Sequence, residues 1–226
     1  MAVDQQTPPA RSSAYSTVSR AGHLSGGGTT GNERLTAATG AMLIVLLAVL
    51  GVTILRVRPL LSVHLFVGML LIPPVMLKMG TTGYRFVRYY TADPAYRSKG
   101  PPEALMRALA PAVVLTTVIV FASGVALLFV GPDSRGTLLP IHKVSFIAWL
   151  AFTALHVLGH LPGMGALLRA DYSSSRSPEW SSDVTGRSGR VLALAGALVA
   201  GVVLAVLMIP EFGPWLHSVS IFQGDH

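Results

Sequence analysis

The chain has 226 residues, 51% of them hydrophobic and only 12% charged, and a mean hydropathy of +0.58. A soluble globular domain carries about 25% charged residues, and here the deficit is gathered into long uncharged runs, which is the pattern of a membrane protein. The absence of cysteine excludes disulfides, thiolate metal sites, iron–sulfur ligation and cysteine nucleophiles. The net charge of +7 would raise nucleic acid as a partner in a soluble protein. In a chain this apolar, basic residues in loops that set topology are the simpler reading, and no nucleic acid is expected.

Residues 1–34 are rich in Gly, Ser, Thr and Ala, and read as a disordered tail that cannot bury enough apolar surface to order itself. No secretory signal peptide is expected, because the first apolar run starts near residue 35 without a small-residue cleavage pattern. Five uncharged runs follow and predict spans at about 35–55, 60–80, 108–132, 141–168 and 191–210. Each is near or above the ~20 residues that cross a ~30 Å hydrocarbon core, and inside lipid each must be a helix. The fold expected is therefore all-α, an integral membrane bundle of five transmembrane helices over 35–210, with residues 211–226 as a short outer tail.

Thirteen Lys and Arg fall on the side of the N-terminus and four on the other. The richer side is cytoplasmic by the positive-inside rule, so the N-terminus is expected in the cytoplasm of a multi-pass cell-membrane protein. Tyr84, Arg85, Phe86, Arg88, Tyr89 and Tyr90 suit an interfacial anchor after the second span. The Ser-rich residues 171–189 read as a flexible cytoplasmic loop. Pro73-Pro74 predicts a kink in the second span, and Gly196, Ala197, Ala200 and Gly201 predict close helix contact in the fifth.

All ten Asp and Glu lie outside the apolar runs. The ionisable residues left inside or at the edge of spans are His64 and Lys78 on the second and His142, His156 and His160 on the fourth. Intramembrane ionisable groups are costly and are functional candidates by default. The intervals of 14 and 18 residues from His142 to His156 and His160 place all three imidazoles in one stripe, about 21 Å separating the first two. His64 and Lys78 are also 14 residues apart, on a span that runs in the same direction. His64 and His142 match in depth near the outer surface, and Lys78 lies nearer the level of His156 and His160. Two facing helices with a histidine each at equal depth supply the two axial ligands that a haem iron takes, and neutral imidazole brings no charge into the bilayer. The metal ligands expected are His64 and His142. A single intramembrane His is more often a helix–helix hydrogen-bonding group than a ligand. His156-x3-His160 is a weak pattern for Zn or Cu, with no carboxylate or thiol near in sequence to complete it.

A His-x13-His repeat on two bundle helices resembles transmembrane cytochromes b, both the ferric reductase-like transmembrane domains and the bacterial di-haem helical bundles. The likeness covers roughly residues 60–165, complete in His142-x13-His156 and half-complete in His64-x13-Lys78. It implies one haem b at His64 and His142. It leaves open a second, at His156 or His160, with Lys78 standing where a fourth ligand would be. The function it implies is electron transfer within a redox complex, as at most the electron-transfer component of an oxidoreductase. The partners would be the lipid bilayer and a redox protein or quinone. A haem-free scaffold or assembly protein is the alternative. A transporter ranks lower, because no acidic residue lies within a span.

Overall fold

The computed structural model describes residues 28–98, 100, 104–172 and 186–221. The expected tail before residue 28 and the body of the expected cytoplasmic loop, residues 173–185, lie outside the described residues. Those described are all-helical, with no strand: α1 (Gly28–Leu55), α2 (Leu61–Tyr90), the single turn α3 (Pro94–Arg97), α4 (Ala104–Val130), α5 (Leu138–Tyr172), α6 (Arg187–Leu207), a 3₁₀ turn (Ile209–Phe212) and α7 (Gly213–Ile221). Five of them, α1, α2, α4, α5 and α6, are long and apolar enough to cross a membrane. Their outer surfaces are apolar, with Val52, Leu115, Ile147, Leu192 and Leu207 exposed, as helices facing lipid require.

The helices overrun the expected spans. At 1.5 Å per residue α2 is about 45 Å long and α5 about 52 Å, well beyond a ~30 Å hydrocarbon core. At the start of α1 and the end of α2 the overrun is held by polar contacts beyond the apolar runs. Asn32 is buried and its Nδ2 donates to the Thr81 carbonyl at 3.2 Å, while Glu33 pairs with Arg85 at 3.5 Å. These bonds hold the first turns of α1 against the extension of α2, so residues 28–34, expected in the tail, are helical. Further along, Arg88 pairs with Asp93 and sits 5.9 Å from the Tyr84 ring centre. Asp93 Oδ1 accepts from the Ala95 amide at 2.8 Å and caps α3, where Tyr96 meets Tyr84 edge-on. The aromatic–arginine segment is thus a small folded knot on the end of α2.

The bundle is built from two antiparallel hairpins, α1–α2 and α4–α5, with α6 packed chiefly on α2. The α2–α6 seam is close because of Gly201: a Cβ there would overlap the Leu70 carbonyl. Beside it Met69, Leu70, Leu128, Ala205 and Phe212 form a buried cluster. Phe212 belongs to the segment expected as a short outer tail. In the structure the 3₁₀ turn and α7 fold back, and Trp215 Nε1 donates to the Leu128 carbonyl at 3.4 Å. Pro73-Pro74 lies within α2, whose assignment runs unbroken, and Pro74 is buried. Direct backbone contact between α2 and α5 is slight; α5 leans on α4 and α1.

Candidate functional site

The hydroxyl groups of two neighbouring helices decide how the histidines stand. Thr53, near the end of α1, is 2% exposed; its Oγ1 lies 2.6 Å from the Leu50 carbonyl and 2.9 Å from His64 Nδ1. The hydroxyl has one hydrogen, and the carbonyl takes it. Thr53 Oγ1 is then an acceptor toward the ring, so His64 carries its proton on Nδ1. On α5, His142 Nδ1 lies 3.1 Å from the Val120 carbonyl and 3.1 Å from Ser123 Oγ, and Ser123 itself donates to Val120. A carbonyl cannot donate, so His142 too is the Nδ1–H tautomer. In both rings Nε2 is left with its lone pair, the form in which imidazole ligates a metal.

Each histidine is thus held by its own hairpin partner: His64 of α2 by α1, His142 of α5 by α4. The two imidazoles are within electrostatic reach of each other across the bundle. Gly124 makes room for His142, since a Cβ there would stand 3.1 Å from His142 Cε1. Sequence reasoning found the two histidines and missed Thr53, Ser123 and Gly124. The signal for the first two was a hydroxyl in an otherwise apolar run, which in a helix is read by default as bonding its own backbone.

The remaining expected residues gather at the opposite end. His156 and His160 touch ring to ring, centroids 4.6 Å apart, and Lys78 is within electrostatic reach of His156. Lys78 Nζ donates to the Thr36 carbonyl of α1 at 2.8 Å. Gly40 leaves space for it: a Cβ there would lie 3.2 Å from Lys78 Nζ and 3.7 Å from Met164 Sδ. Unlike the first pair, His156 Nδ1 is buried without a hydrogen-bond partner among the described residues, as is Thr153 Oγ1 one turn away. The five expected site residues therefore form two groups. In His64 and His142 the Nδ1 is held; in His156 it is not.

Among the described residues no three of His, Asp and Glu come together as a metal-binding group. A bare zinc or copper ion, which takes three or four protein ligands, finds no such set there. Haem iron asks less of the chain, because the porphyrin supplies four nitrogens and the protein two axial ligands. The donor set of His64 and His142, two oriented neutral imidazoles, fits that demand.

The fold and these groups define an all-α membrane bundle with paired histidines on its second and fourth spans. Compared with protein-family profiles, with curated proteins and with solved structures, the chain shows no significant match.

Proposed function

We propose that this protein is a haem b-binding electron carrier of the cell membrane, with His64 and His142 as axial ligands. The observation that carries the reading is that both histidines are held through Nδ1 by a neighbouring helix, His64 at Thr53 Oγ1 and His142 at the Val120 carbonyl and Ser123 Oγ, which favours the Nδ1–H form in each. Outer-sphere bonds of this kind orient a metal-bound imidazole and raise its basicity. Haem b bound there would supply one-electron exchange between ferric and ferrous iron. The chain's part is to hold two imidazoles by their Nδ1 atoms, to present Nε2 lone pairs without charge, and to surround them with apolar side chains that keep water out. With the N-terminus in the cytoplasm, this pair lies toward the outer surface. Electrons would be exchanged with a redox partner protein or a membrane quinone, making the chain the membrane subunit of a redox complex.

The test is a reduced-minus-oxidised absorption spectrum of the detergent-purified protein, with haem quantified per chain. The expected result is a bis-imidazole b-type spectrum at about one haem per chain, lost in both His64→Ala and His142→Ala while the helical circular dichroism is retained. No haem after expression with ample haem supply overturns the reading and leaves a scaffold role for the bundle.

A further inference from the structure

The polar atoms at the Lys78 end have no use in the site above. Lys78 Nζ makes one hydrogen bond, to the Thr36 carbonyl, and meets no carboxylate among the described residues. An ammonium has three hydrogens, and a buried charge with one neutral acceptor is expensive in a low-dielectric surrounding. Two unbonded atoms, His156 Nδ1 and Thr153 Oγ1, lie three residues apart on one face of α5, the helix whose Met164 shares the space over Gly40 with Lys78 Nζ and whose His156 is within electrostatic reach of Lys78. Other buried hydroxyls in the spans bond their own helix: Thr39 to Leu35, Thr117 to Val113 and Ser123 to Val120. Thr153 does not, although the same acceptor type is available to it. Groups that forgo ordinary partners in an interior mark a place where another molecule supplies them.

The chemistry of that molecule follows from the donors. A metal cation is disfavoured beside an ammonium. The ligand must offer acceptor oxygens, since lysine only donates. Lys78, Thr153 and His156 all lie on helices long and apolar enough to cross a membrane, and a ligand that reaches them from lipid has an apolar body. The donors stand on two helices, Lys78 on α2 and Thr153 and His156 on α5. A flat head group with an oxygen at each end meets both, whereas a carboxylate has both oxygens at one end. We propose that Lys78, Thr153 and His156 bind the head group of a membrane-soluble quinone. Lys78 Nζ donates to one carbonyl oxygen and the Thr153 hydroxyl, with His156, to the other. This rests on the haem reading for its purpose: it gives the electron carrier a lipid-borne partner about 21 Å along α5 from His142.

Binding is measured by isothermal titration calorimetry of the full chain in nanodiscs. The probes are a short-chain ubiquinone, a short-chain menaquinone and decanoate. The expected result is saturable binding of a quinone at one per chain, weakened about tenfold or more in Lys78→Met, which removes a charged donor, and several-fold in Thr153→Val. Thr153→Val is nearly isosteric and keeps the test decisive should Lys78→Met fail to fold. The His142→Ala variant should lose haem and still bind quinone. Undiminished quinone binding in both binding-site variants, or no saturable binding of either quinone, overturns the proposal. Decanoate binding as tight as quinone and equally sensitive to Lys78→Met overturns the quinone assignment in favour of a carboxylate. Lys78-sensitive quinone binding in a wild-type protein that takes up no haem supports this site and overturns only the haem reading.

Discussion

Thr53 and Ser123 have the same task on different helices: each meets the Nδ1 of an imidazole and so leaves Nε2 on the far side of the ring with its lone pair. Losing such a partner typically costs 10–100-fold in metal affinity. On the haem reading proposed above, Thr53→Val and Ser123→Ala are therefore expected to retain haem at purification yet release it 10–100-fold more readily to apomyoglobin, a transfer followed spectroscopically. The histidines themselves were legible in the sequence, because an imidazole in an apolar run stands out. Their supports were not, because a hydroxyl in a helix bonds its own backbone in most cases, and only the packed hairpins reveal which hydroxyls also receive a ring. The same limit applies to Lys78. From spacing it stood in the place of a fourth axial ligand; in three dimensions it donates to the Thr36 carbonyl on α1.

Among the elements, the spans were legible to within a turn or so at most ends, since lipid allows only helices and the uncharged runs mark them. Their overruns were not. The polar contacts Asn32–Thr81 and Glu33–Arg85 join residues far apart in sequence, and no local pattern announces them. Small residues in the fifth span predicted close packing, and the structure sorts them. Gly201 meets the Leu70 carbonyl, while nothing lies within 4 Å of a Cβ built on Gly196. Gly201→Ala is expected to destabilise by about 1–3 kcal/mol through overpacking. Gly196→Ala should be neutral or slightly stabilising, because alanine loses less entropy in a helix. Thermal unfolding in detergent, followed by circular dichroism, checks the pair.

For the whole molecule, the thirteen-to-four asymmetry of Lys and Arg predicts a direction across the membrane that packing alone does not. The chain has no cysteine, so single cysteines can be introduced without a background. One at Ser98, after α3, is expected to be shielded in intact cells from a membrane-impermeant maleimide, and one at Pro59, between α1 and α2, to be labelled. The reverse pattern would invert the molecule and put the Lys78 end outside. A likeness in histidine spacing does not require an overall match. The depth of two histidines needs only two residues and a helical rise, whereas a fold comparison weighs every position of the chain.

The Gly201 contact has a mechanical side. With the Leu70 carbonyl seated against bare backbone of α6, the second helix is keyed like a shaft in a slot, free neither to roll nor to slide at that point. Leu70 is six residues from His64, about 9 Å along the axis. The position of α2, and with it the depth of the imidazole that Thr53 holds, thus depends also on a helix that carries no histidine itself. If the proposed haem is bound, substitutions along α6 would register as a change of its spin state or midpoint potential without touching either histidine.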